Sequence, residues 1–299
     1  MPINRAAISK ELLPGLNAVF GIEYGDVNNE HEPLYEIENS DRSFEEEVLF
    51  TGFGQAPVKN EGAAIVYDDA SESYTARYTN ETIALAFAVT EEAMEDNLYD
   101  TFAKLRAKGL ARAMANTKQV KAAKLFNDGF STAQGDGVSL FNASHPTVGD
   151  GNQSNLTTAA AISETSLEST LINIQKIKDD RGILIGASAK SLHVPVDLIF
   201  TADVLLNTPG VVGSADNDIN SVRHLGIIPN GYFVNRRFTD TNGWYIKTDV
   251  PNGTKMFNRT PLQTKMEPDF DTGNLRFKAR ERYSFGVSDW RGWFGNQGA

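Results

Sequence analysis

The chain has 299 residues, 40% of them apolar, and no cysteine, which excludes disulfides, thiolate nucleophiles and cysteine-ligated zinc or iron–sulfur sites. A formal charge of −11 opposes sequence-independent DNA binding, which depends on Lys and Arg neutralising phosphates, although plain solubility accounts for the acidity as well. No apolar run approaches the ~20 residues that cross a bilayer, so a globular, unexported protein without membrane association is expected.

Residues 1–40 show no sustained period and carry Pro14, Gly15, Gly21, Gly25 and Pro33. That predicts an extended arm holding at most a short helix, ordered by a partner surface. From 45 to 89 the pattern is that of strands. Val48, Leu49 and Phe50 run into Gly52, Gly54 and Pro57, and Ile65, Val66 and Tyr67 resume after Gly62. Tyr74, Ala76 and Tyr78 then alternate with polar residues, and Ile83, Leu85, Phe87 and Val89 share one face. The segment reads as a long β-excursion with a glycine-rich tip.

Thr90 precedes Glu91 and Glu92 as an N-cap would. Met94, Leu98, Phe102, Leu105 and Gly109 then recur at helical spacing, continuing through Ala113, Val120 and Ala123 to Phe126. Acidic residues crowd the start of this run and basic ones fill the rest, which complements the helix dipole. Uninterrupted, the helix would be about 50–57 Å long at ~1.5 Å per residue, a beam that small domains seldom need.

A second helix begins near Ser163, with Leu167, Leu171, Ile174 and Ile177 on one face, and ends by Gly182. A strand over 191–196 leads through Pro195 into a helical stretch ending at Asn207. Short strands follow between turns at 229–231, 240–243 and 251–253, so the fold class is α+β. Near the end, 265–270 and 275–285 flank a turn at 271–274 as a hairpin. Leu275, Phe277 and Ala279 face one way, and Arg276, Lys278, Arg280 and Arg282 form a basic stripe on the other. The stripe is either an ordinary solvated strand face or a docking line for acidic residues of a neighbouring subunit, with Glu45, Glu46 and Glu47 as candidates.

No reaction chemistry is legible. His31, His145, His193 and His224 fall in no ligand pattern, and Ser144 beside His145 is read as structural, because adjacent side chains diverge. Asp150, Asn152 and Ser154, like Asp216, Asp218 and Asn220, imitate calcium loops. Both lack the twelfth-position Glu, since Ala161 and Ile227 stand there. No catalytic residue, cofactor or metal is expected.

The order of elements, with four runs of sequence, resembles the Hong Kong 97-type capsid fold and in particular the Mu-like major head subunit family. The runs are RYTNETIALAFAVTEEAMEDNLYDTFAKL (77–105), DGVSLFNASHP (136–146), LIGASAKSLHVPVDLIFTADVLL (184–206) and FGVSDWRGWFGNQG (285–298). The resemblance implies an N-terminal arm (1–39), an extended β-loop (40–89) and a peripheral domain built from the spine helix (90–150) and the closing strands (264–299). It implies an axial domain (151–263) that meets its copies at the capsomer centre. It further implies a virion shell subunit, assembled in the host cytoplasm as hexamers and pentamers around DNA that it does not read. Because the sequence opens directly on the arm, the scaffolding protein is expected to be a separate chain, beside a portal and, as a further candidate, a decoration protein. Gly52, Gly54, Pro57 and Lys59 at the loop tip, with Glu45, Glu46, Glu47, Arg280 and Arg282, are the candidate inter-subunit contacts. No feature favours Lys59 as an isopeptide crosslinking residue over a plain surface lysine. The alternatives are another virion protein such as a tail-tube component, and a cytosolic hydrolase whose site falls in no known motif.

Overall fold

In the computed structural model of the protein, residues 5–90, 92, 99–211, 218–269 and 271–299 are described, without the side chains of 5–13 and 99–102. Most of the helical positions expected just after Thr90 therefore lie outside the described residues, as does Asp216.

The first element corrects the sequence expectation. Helix α1, Arg5–Gly25, is 21 residues long with Pro14 inside it. Pro14 and three glycines argue against a helix on propensity. Tertiary burial overrides them: Leu16 and Phe20, four apart, are 1% and 2% exposed, and Tyr24, four further on, stacks on Phe20 at 6.1 Å. Strands β1 (Glu36–Asn39), β2 (Phe44–Phe50), β3 (Glu72–Thr79) and β4 (Glu81–Val89) follow. β2 and β3 pair antiparallel with Phe44 opposite Thr79. Between them, residues 51–71 form no strand. The run Ile65, Val66 and Tyr67, expected as a strand, is instead an exposed segment that pairs with no strand among the described residues.

Helix α2, Tyr99–Asn127, is the expected beam. Its buried face differs from the expected one, however. Leu105 is 66% and Val120 48% exposed, whereas Ala103, Ala107, Leu110, Ala111 and Met114 are buried. The apolar period was legible only by counting alanines, which carry the face that admits α1 and the sheet at close range.

Beyond α2, Leu140 and Phe141 are core residues, and β5 (His145–Pro146) pairs with β6 (Asn152–Gln153). Helix α3, Glu164–Gln175, starts as expected at Ser163, whose hydroxyl accepts from Ser166 N while Ser166 bonds back to Ser163 N. Strand β7 (Ala189–Val194), a 3-10 turn at Val196–Leu198, α4 (Ile199–Asn207) and α5 (Ser221–Leu225) come next. Then come β8 (Tyr232–Val234), β9 (Trp244–Thr248), β10 (Thr254–Pro268), β11 (Leu275–Val287), a 3-10 turn at Trp290–Gly292 and β12 (Trp293–Asn296).

Two four-stranded sheets organise the chain, ordered β1-β10-β11-β4 and β12-β9-β7-β8. The hairpin expected at 265–285 is present, but β10 begins at Thr254, so the boundary expected at 263/264 falls inside one continuous strand. The final strand β12 joins the second sheet, beside β9. Trp293 and Phe294 are buried in the main core. The main core gathers on Phe126 at the end of α2, with Trp293 at 4.6 Å, Tyr245 at 5.5 Å and Phe238 at 5.8 Å between ring centres. A second core joins α1, α2, β4 and β11.

Candidate functional site

The surfaces that matter are those the fold leaves unfinished. At the loop, Gly52 takes a left-handed φ of 69°, and its neighbour Phe53 is 64% exposed. Pro57 and Lys59 lie exposed in the irregular segment, as do Val58 at 91% and Tyr67 at 94%. One clasp holds this segment. Asp68 accepts from Gly54 N at 2.7 Å and from Arg181 Nη2 at 2.8 and 2.9 Å. The hydrogen bond from Gly54, then the Arg181 guanidinium, hold the Asp68 carboxyl below the usual range.

The candidate acidic residues at the loop base divide. Glu47 is committed inside the subunit: Lys255 Nζ donates to it at 2.5 Å and Ser288 Oγ bonds its other oxygen. Lys255 also reaches Glu38 at 2.9 Å. Burial opposes the Lys255 charge, yet these two carboxylates raise its pKa overall. Glu45 accepts from Ser40 at 2.8 Å, and Glu46 stands 3.8 Å from Arg77. On the other side, the register places Arg276, Lys278, Arg280 and Arg282 of β11 opposite Ala88, Ala86, Ala84 and Thr82 of β4. The basic stripe therefore lies on the outer face of the first sheet, beside a floor of alanines. Arg276 is paired with Asp269.

A third surface lies on the second sheet's side, where Phe200 is 81%, Leu225 66% and Ile219 65% exposed. Large apolar side chains clustered outside a core mark contact surfaces.

Ser144 and His145, read as structural, point to different partners. The His145 ring is fully buried, with Nδ1 2.5 Å from Asp136 Oδ2, Nε2 3.0 Å from Asn155 Oδ1, and its face stacked on Trp290 at 4.1 Å. Ser144 is exposed and accepts from Asn152 instead. Asn155 is a further structural centre that the sequence did not announce: its Nδ2 donates to the carbonyls of Leu140, Trp290 and Trp293. Arg291 is buried between Asp180 and Asp289. Asp150, from one calcium-like loop, is taken by Lys178 at 3.2 Å. Among the described residues no three His, Asp or Glu side chains gather to hold a metal ion, and no helix is long and apolar enough to cross a membrane.

Comparison with known proteins gives this arrangement its context. The profile of the family described as phage capsid protein matches residues 73–296. The chain belongs to the phage capsid protein family. As a major capsid protein it builds the head shell of a virion, and its role is structural rather than enzymatic. Solved structures agree on the Hong Kong 97-type fold. A virus-like particle from Pyrococcus furiosus superposes with a TM-score of 0.54 at 11% identity, covering 96% of this chain and 99% of that one. The capsid of a native GTA particle gives 0.55 at 12% identity, covering 91% of both chains. The procapsid of bacteriophage JBD30 gives 0.53 at 13%, covering 98% of this capsid subunit and 76% of that chain. No curated protein matches the sequence.

Proposed function

We propose that this capsid subunit belongs to the Mu-like lineage and closes, as hexamers and pentamers, an icosahedral shell around double-stranded DNA. The observation that carries this reading is the pair of unfinished surfaces, the 51–71 loop and the apolar end around Phe200, which give a free monomer nothing and many copies a contact each. The arm, the loop and the axial end, taken as 1–39, 40–89 and 151–253, are the parts that meet neighbours. The spine helix with β10 and β11 forms the peripheral body. The four sequence runs quoted above support the Mu-like assignment.

Between neighbouring copies, Arg280 and Arg282 meet Glu45 and Glu46, while Glu47 stays with its own Lys255. The DNA inside is enclosed without being read. Spine-helix cations support this, because Arg112 and Lys121 are already paired with Glu23 and Glu81 of the same chain. A separate scaffolding protein and a portal complete such a shell, with a decoration protein as an addition.

Electron microscopy with sedimentation velocity, on the subunit alone and with its scaffold, tests the reading. Rings, tubes or closed shells are expected. A compact monomer under every condition overturns it. Arg280→Glu with Arg282→Glu is expected to abolish closed particles, and normal particle yield from that variant removes the proposed charge contact.

A further inference from the structure

Sheet edges expose unpaired backbone donors and acceptors, and proteins blunt them with short strands, charges, prolines or bulges. Three of the four edges of the two main sheets obey this rule. β1, β8 and β12 are 4, 3 and 4 residues long, and β1 carries Glu36 and Glu38. The fourth does not. β4 is 9 residues long, reads ETIALAFAV, has no charge or proline after Glu81, and pairs with β11 in unbroken register from Val89 to Glu81. Among the described residues no strand pairs with its other side. Near its end, Arg106 caps the Ala88 carbonyl at 2.8 Å, which leaves the stretch before it open. A long, flat, apolar edge of this kind in a subunit made in many copies is a binding edge or an aggregation hazard.

The same chain carries a matching half. Residues 63–67, Ala-Ala-Ile-Val-Tyr, include three strong strand formers, of which Ile65 and Val66 are each 67% exposed and Tyr67 94%. They form no strand of their own. Asp68, the next residue, is clasped to Arg181, and within one subunit the segment pairs with no strand of the first sheet. Side-chain size and charge also fit. On the outer face Ala84, Ala86 and Ala88 leave room for Ile65 and Tyr67. Lys278, Arg280 and Arg282 on β11 stand beside that floor, and the segment is flanked by Glu61 and Asp69.

We propose that the open edge of β4 receives residues 63–67 of a second copy of this chain as an added strand, so that adjacent subunits share one five-stranded sheet. This rests on the shell reading and assigns its loop contact to backbone hydrogen bonding along a named edge.

Hydrogen exchange on wild-type shells and on unassembled subunits provides the test. The amides of 82–88 that point away from β11, and the alternate amides of 63–67 that face them, are both expected to slow on the order of 100-fold on assembly, as amides entering a sheet do. Protection at 82–88 with 63–67 still open means that another partner covers the edge, and it overturns the proposed occupant. No protection at 82–88 in intact shells overturns the edge itself while leaving the shell reading in place. Failure to form shells at all removes both. A second measurement exploits the cysteine-free chain. Cysteines at 84, 86 or 88, each combined with one at 65 or 67, are expected to give covalent ladders only in assembled particles, whereas the same positions combined with a cysteine at 66, whose side chain lies on the opposite face, are not. Closed particles in which no combination links contradict the added strand.

Discussion

Asp68 and Arg181 lie 113 positions apart, yet one guanidinium nitrogen of Arg181 contacts both carboxylate oxygens of Asp68, at 2.8 and 2.9 Å. This bond and the one from Gly54 tie the return limb of the loop to its outgoing limb and to the body. Because the contact is solvent-exposed, it orders a segment rather than stabilising the fold.

Arg181→Ala is therefore expected to leave the unfolding midpoint of the free subunit unchanged and to speed proteolytic cleavage within 51–70. The Asp68 carboxyl is held below its ordinary pKa, so the clasp is complete above about pH 4 and is lost only as pH falls further. Cleavage of the wild type should stay flat from pH 8 to 5. Equal cleavage of variant and wild type would show that the clasp does not order the loop.

Phe126 is fully buried and touches five aromatic rings, from Tyr35, Phe141, Phe238, Tyr245 and Trp293. Phe126→Ala should cost about 3–5 kcal/mol, as large-to-small changes in cores do. Denaturant unfolding of the unassembled subunit measures it, and a loss below about 1 kcal/mol would mean that the site collapses around the gap.

His193 titrates against the fold. Burial, then the nearby Lys247 charge, lower its pKa to about 3, while the unfolded chain protonates near 6.5. Its contribution is thus intact above pH 6.5 and declines as pH falls toward 3, by about 2 kcal/mol between pH 7.5 and 5. His31, lowered by burial and by Lys118, acts in the same direction. Stability of the free subunit at the two pH values, compared with that of His193→Gln, checks the claim. The variant should lose most of the slope, and an unchanged slope would assign it elsewhere.

A methyl group at Gly295 would sit 2.5 Å from Phe141 Cδ1. Phe141 cannot yield, because its ring is packed against Phe126, Phe130 and Tyr245. Gly295→Ala should destabilise by about 1–3 kcal/mol through overpacking. A melting temperature equal to that of the wild type would show that the ring has room to move.

Elements whose residues carry their own period were legible in the sequence: α2, the capped α3, the 275–285 strand and the alternation of β3. Helix α1 was hidden, because its support comes from Leu16 and Phe20 packing on distant α2 and β11, which no local propensity reports. The alanine face of α2 was missed for a related reason: small residues carry little hydropathy but permit close approach. The candidate contact residues divide once their surroundings are known. Charge pattern picked out Glu47 and Arg280 alike, yet only three-dimensional proximity reveals that Glu47 is already spent on Lys255.

The position of β12 also has a consequence for how the chain closes on itself. Trp293 and Phe294 complete the second sheet's core, Asn155 waits for the carbonyls of Trp290 and Trp293, and Arg291 neutralises Asp180. Each of these contacts joins residues more than 100 positions apart. A chain cut before Trp290 therefore loses the segment that seals the second sheet's core, and the body around Phe126 is left without its closing wall.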